Sequence, residues 1–123
     1  GQSLEQRRAQ VRRKTNVDRV PIAFVALGDD DGIVGTASLI FDDLEGDPRN
    51  PWLASVYVPP EHRKKGIASA LVRAVEDAAR RIGYDRLYLF TSTAPSLYAG
   101  MGWRTLEQRD YRGEHIQVME KAL

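Results

Sequence analysis

The stretch His62-Arg63-Lys64-Lys65-Gly66 places three fixed cations directly ahead of a glycine that opens a helix-like segment. The first amides of a helix have no partners within it and point outward. The summed peptide dipoles add roughly half a positive charge at the same end. Gly66 lets an anion reach the backbone, and Ala68 adds little bulk. A pyrophosphate would fit such a mouth. The stretch is neither a Gly-x-x-x-x-Gly-Lys-Ser/Thr loop nor a three-glycine dinucleotide fingerprint, since neither spacing is present. These residues alone leave two readings open: an anion site, and an exposed basic turn before a helix.

The elements around this mouth follow from periodicity. Residues 52–58 (WLASVYV) read as a strand that stops at Pro59 and Pro60. Residues 66–82 are the clearest helix: Ile67, Leu71, Val75, Ala78 and Ile82 keep helical spacing, while Arg73, Glu76, Asp77, Arg80 and Arg81 take the other positions. Gly83 ends it. Residues 86–91 form a strand, 95–101 a short helix with Pro95 in its first turn, and 103–111 and 115–120 a hairpin around Arg112-Gly113. Upstream, residues 21–27 and 33–41 are strands joined at the hairpin dipeptide Asp31-Gly32. Ser3 can cap a helix over residues 3–14, with Gln6 completing a capping box, on a thin stripe of Leu4, Ala9 and Val11. The first three strands are expected to meander antiparallel. The 52–91 strand–helix–strand unit needs a crossover, so its two strands are expected to be parallel.

A chain of 123 residues, 42% hydrophobic and 28% charged, suits one soluble domain spanning 1–123. No apolar run approaches the ~20 residues of a spanning helix, so no membrane partner is expected. No signal-peptide pattern precedes the domain, and Gly1 reads as a processed or recombinant end. Eighteen Lys and Arg balance 17 Asp and Glu, a net charge of +1 that argues against a nucleic-acid partner, despite the basic cluster in residues 5–19. Residues 29–47 carry seven carboxylates and no cation. The absence of cysteine excludes disulfides, thiolate metal sites and a thiol nucleophile, and is compatible with a cytoplasmic location. No metal is expected.

Val58-x-Pro60, followed by Arg63-x-x-Gly66-Ile67-Ala68 and a long amphipathic helix, resembles the acetyl-coenzyme A motif of the GNAT N-acetyltransferase superfamily, Arg/Gln-x-x-Gly-x-Gly/Ala. A second stretch, Tyr98-Ala99-Gly100-Met101-Gly102-Trp103, is similar to that family's Tyr-x-x-x-Gly-Phe/Trp. The resemblance covers about residues 3–121. It implies a mixed, mostly antiparallel α/β sheet with helices on both faces, whose central parallel strands splay apart to take the cofactor. It implies acetyl-CoA as cosubstrate: Val56 and Val58 as backbone partners of pantetheine, and Arg63, Lys64, Lys65, Gly66, Ile67 and Ala68 around the pyrophosphate. Tyr98 would be the catalytic acid at the thioester sulfur, and a primary amine would attack directly, without an acetyl-enzyme.

Departures from the family pattern shape the remaining expectations. The 52–58 strand carries no acid where many members place a general base; Asp42, Asp43, Glu114 and His115 are the other candidates. Thr91 stands near the place of a cofactor-binding asparagine. The usual first strand and helix are absent, with residues 3–14 taken as the second helix. A partner copy of the chain, in a homodimer, is one expected source of the missing wall. The acidic residues of loop 42–50 and of the 110–114 turn are expected at the end of the sheet away from the pyrophosphate, where they would favour a cationic acceptor. A coenzyme A-binding module without catalysis is the alternative reading.

Overall fold

The computed structural model describes the backbone of residues 10–13 and the whole of residues 20–123. Its elements are β1 (Gln10–Arg13), β2 (Ile22–Leu27), β3 (Ile33–Ile40), β4 (Trp52–Tyr57), a 3-10 turn (Pro60–His62), α1 (Ile67–Ile82), β5 (Arg86–Thr91), α2 (Pro95–Ala99), β6 (Arg104–Tyr111) and β7 (Glu114–Ala122). They build one sheet in the order β1-β2-β3-β4-β5-β7-β6. The first four strands pair antiparallel, β4 and β5 pair parallel, and β7 pairs antiparallel with both β5 and β6. The mixed sheet, the antiparallel meander and the parallel pair all match the sequence reading.

The amino-terminal helix does not. Residues 10–13 are extended and pair with β2, Gln10 opposite Leu27 and Arg13 opposite Phe24. The edge of β2 offers these residues a ladder of backbone partners. That tertiary pairing overrides the weak local preference of a segment with few apolar positions. The rest of the expected helix, residues 3–9 and 14, lies outside the described residues.

Alternation along the strands sorts side chains onto two faces. One face carries Phe24, Ala37, Leu39, Leu53, Leu87, Leu89 and Met119, against which α1 lays Ile67, Leu71, Val72, Val75, Ala78 and Ala79. Tyr98 of α2 belongs to the same cluster, so both described helices cover this face. On the opposite face Trp52, Ile116 and Val118 pack under Leu44, with Tyr88 and Phe90 beside them. There the loop between β3 and β4 takes the covering role among the described residues.

Two local features aim the site. The β3–β4 register slips between Thr36, opposite Tyr57, and Ser38, opposite Ala54. One extra residue therefore bulges from β4, and Ser55 adopts φ +56° there. The bulge reverses the alternation: Val56 and Val58 turn to the helix-covered cluster, while Tyr57 is left 54% exposed. The second feature is Gly35. A Cβ there would lie 2.9 Å from Leu71 Cδ1 and 3.0 Å from Ile67 Cγ2. This glycine lets the first turn of α1 approach the sheet closely. Gly35→Ala is expected to lower stability by about 1–3 kcal/mol through overpacking and to weaken anion binding at the start of α1. Denaturant unfolding and calorimetric titration of coenzyme A check both; an unchanged midpoint would show that the helix has room to move.

Candidate functional site

β4 and β5 touch only at their beginnings. Their single register pair is Trp52 with Tyr88, supported by Tyr88 N–H donating to the Pro51 carbonyl at 3.1 Å. Beyond it the strands part, and the β5-side edge of β4 is left without a β5 partner. Pro59 and Pro60 then end the strand, because proline has no N–H to donate. The gap widens into a cleft of about 990 Å³ that runs from the start of α1 through the sheet to its opposite face.

At the cationic end, Gly66 caps α1 in the left-handed conformation at φ +80°, with no side-chain cap on the first turn. Ala70 N–H makes the first helical bond, to the Gly66 carbonyl at 3.0 Å. Lys64 is also left-handed, at φ +62°, so the chain turns sharply between the cations. Arg63, Lys64, Gly66, Ile67 and Ala68 all line the cleft; Lys65 does not. Of the three cations in sequence, two line the cleft. Arg63 Nε donates to the Val58 carbonyl at 2.9 Å, which occupies one of the backbone groups expected to face pantetheine. Ile67 belongs to the core cluster and also lines the cleft.

Midway, Val56, Val58, Thr91 and Tyr98 line the walls. Thr91 Oγ1 accepts the amides of Thr93 at 3.3 Å and Ala94 at 3.1 Å. Its oxygen therefore shapes the turn into α2 and leaves only its O–H to offer a ligand. Tyr98 is 7% exposed, and its hydroxyl has no hydrogen-bond partner among the described residues. Burial pushes its phenol above the usual range, so it stays protonated near neutral pH.

The opposite mouth is acidic. Loop 42–50 and the β6–β7 turn meet there: Glu45 N–H donates to the Tyr111 hydroxyl at 3.3 Å, and Arg112 pairs with Glu45 at 3.0 Å. Asp47 is held by Arg49 and Arg109, and the Arg49 hydrogen bonds keep its carboxyl below the usual range. Asp42 is bonded by Asn50, and Asp110 by His115. His115 uses its other ring nitrogen on Gln108, on an exposed strand away from the cleft. Of the acidic residues expected at the acceptor end, Asp43 and Glu114 alone line the cleft. They sit with Phe90 and Ile116 on the sheet face opposite Tyr98, across the gap rather than at a distant end. Burial raises the Asp43 carboxyl above its usual range. Among the described residues, no helix is long and apolar enough to cross a membrane.

The model of the acetyltransferase (GNAT) family matches residues 3–103. The chain is 40% identical over 81 residues to human N-acetyltransferase 8, a match covering 63% of this chain and 35% of that protein. It thus spans about a third of that relative's length. A nourseothricin acetyltransferase is 26% identical, with a TM-score of 0.69 over 88% of this chain and 68% of that one. A GNAT family acetyltransferase from Elizabethkingia anophelis, solved with acetyl-CoA bound, shares the fold at 14% identity and a TM-score of 0.69, over 94% of this chain and 98% of that one.

Arg63 reaches both the cleft and the Val58 carbonyl, whereas Lys64 supplies charge alone. Arg63→Ala is expected to weaken coenzyme A binding by about tenfold and Lys64→Ala by about threefold, as charge-assisted contacts of unequal geometry would. Both effects shrink with added salt. Calorimetry at two ionic strengths checks this, and equal losses would remove the role given to the Arg63–Val58 bond.

Proposed function

The chain belongs to the GNAT acetyltransferase family, and on that premise we propose that it transfers an acetyl group from acetyl-CoA to a primary amine by direct attack. The observation that carries the reading is the cleft between the parting strands, with an uncapped helix start at one end and, midway, a buried phenol that has no hydrogen-bond partner among the described residues. Arg63, Lys64 and the first amides of α1 suit a pyrophosphate. The unpaired edge around Val56 and Val58 suits the amide-bearing pantetheine arm.

The chemistry then divides across the sheet. A neutral amine attacks the acetyl carbonyl, whose oxygen gains charge near the Val58 amide. The carbon–sulfur bond breaks as Tyr98 gives its proton to the leaving sulfur. Burial suits Tyr98 to that task by keeping it protonated. On the other face Asp43 and Glu114 attract a cationic acceptor, and Asp43 takes up, directly or through water, the proton that the ammonium loses before attack; the second proton, shed by the nitrogen as the amide forms, returns through water to the Tyr98 oxygen. The acceptor class is a polyamine, an aminoglycoside or a basic peptide amino end. Solved relatives in the fold include a spermidine/spermine N-acetyltransferase from Vibrio cholerae.

Thiol release on mixing the protein with acetyl-CoA and an amine panel tests the activity. Binding of acetyl-CoA without release, with every amine, would leave a coenzyme A-binding module instead. Tyr98→Phe is expected to lower kcat by about 10²-fold with little change in KM for acetyl-CoA. With the phenol raised, loss of activity through its ionisation falls above pH ~10, so kcat shows no Tyr98-dependent decline between pH 7 and 9.

Asp43→Asn is expected to raise KM about tenfold for an acceptor that carries further cationic groups, with little change in KM for one that carries none, and to lower kcat for both, because the ammonium proton loses its acceptor. In the unaltered protein, kcat/KM for the cationic amine falls as acidification protonates Asp43, beginning above the ordinary carboxylate range. A preference for neutral amines, insensitive to salt, would overturn the acceptor assignment.

A further inference from the structure

Glu76 stands in sequence among the polar residues of α1, yet it is 4% exposed. It lies four residues after Val72 and three before Ala79, inside the buried stripe of the helix. Both carboxylate oxygens are engaged. Oε2 accepts the indole N–H of Trp103 at 3.1 Å, and Oε1 accepts Lys121 Nζ at 2.9 Å. Lys121 also donates to the Met101 carbonyl at 2.8 Å. Trp103 is itself 3% exposed and meets the Tyr98 ring edge to face, with centroids 6.1 Å apart and planes at 67°. Its amide donates to the Tyr98 carbonyl at 3.0 Å.

The helix that carries Tyr98 is only five residues long and has no side-chain cap. Little within it fixes the direction of the phenol. The segment that follows it is gripped from two sides instead. Gly102 lets the chain turn there at φ +95°, a backbone conformation that L side chains rarely adopt. The Gly-Trp pair after Tyr98 thus has a physical role, the glycine making the turn and the tryptophan forming a wall for the tyrosine ring.

We propose that Glu76, Trp103 and Lys121 are positioning residues that hold the Tyr98 phenol in register with the cleft. The inference rests on Tyr98 being the proton donor. Glu76 fixes the indole, the indole fixes the phenol ring, and Lys121 fixes the turn that joins them. None of the three lines the cleft, so each acts through Tyr98.

A double-mutant cycle tests this. Trp103→Phe keeps an aromatic wall and removes the N–H, Glu76→Gln keeps an acceptor, and Lys121→Met keeps the apolar stem. Thiol release from acetyl-CoA, with spermidine and the amine panel as acceptors, is measured for each, alone and in the Tyr98→Phe background. Coenzyme A affinity is measured by calorimetry. Each single change is expected to lower kcat about tenfold, as a small displacement of a catalytic group does, with coenzyme A affinity within about twofold of the unaltered protein. In the Tyr98→Phe background the same changes are expected to have no further effect, since coupled residues are not additive. Equal losses in both backgrounds, or losses of affinity and melting temperature that parallel kcat, would overturn positioning in favour of a purely structural network. Full activity of Tyr98→Phe, or no turnover by the unaltered protein with any amine, would sink the proton-donor reading itself and the positioning with it.

Discussion

The parting of β4 from β5 after one register pair is the constraint on which the rest of the molecule depends. A sheet normally satisfies every backbone group of a central strand, and unpaired buried amides are costly. Here a central strand is left open along one edge. Three features make that tolerable. Pro59 and Pro60 end the strand quickly, α1 covers the face beside the gap, and Arg63 satisfies the Val58 carbonyl. The remaining open groups face a cleft that water or a ligand can enter. The same parting brings the uncapped start of α1 and the carboxyl ends of both strands to one place.

Because the cleft passes through the sheet, the two faces do different work. The helix-covered face carries cations, an open helix start and a protonated phenol. The opposite face carries Asp43 and Glu114 over an aromatic floor. A nearly balanced chain, at +1 overall, thereby holds opposite local fields on the two sides of one opening. Most of the acidic loop does not contribute to its side. Asp47 and Glu45 are neutralised by arginines that staple the loop to the β6–β7 hairpin. Their pairing frees Asp43 from competition as the carboxylate presented to the cleft.

What the sequence revealed and what it hid divide along the range of the interactions. Strands, turns and α1 were legible because alternation, helical spacing, prolines and glycines act within a few residues. That Arg63, Gly66 and Tyr98 would share one cleft was legible because their motifs are local too. The bulge at Ser55 was not, since serine carries no strong preference for φ +56° and the slip is set by pairing with β3. The β1 strand was misread as helix because its partner, β2, supplies the preference that its own residues lack. Asp43 could not be separated from Asp42, Glu45 and Asp47 until the arginines that claim two of them were seen in place. Glu76 was set apart from the apolar stripe because its charge outweighed its position, though its spacing from Val72 and Ala79 held the signal.

The two buried carboxylates among the described residues, Glu76 and Glu120, meet β7 on opposite faces. Glu120 pairs on one side with Arg104 and, at 3.3 Å, with Arg86. The next residue, Lys121, turns to the other side and meets Glu76. A one-residue slip of β7 would send every one of these charges to the wrong face, leaving buried carboxylates unpaired at about 3–5 kcal/mol each. Apolar residues alone would penalise such a slip less sharply, because β7 meets a hydrophobic cluster on each side, with Val118 in one and Met119 in the other. The charges therefore supply what the apolar pattern lacks, a register that cannot drift. That register matters at the cleft, since Glu114, Ile116 and Lys121 are all carried by β7, and the acidic mouth and the turn after Tyr98 keep their relation only while β7 stays in place.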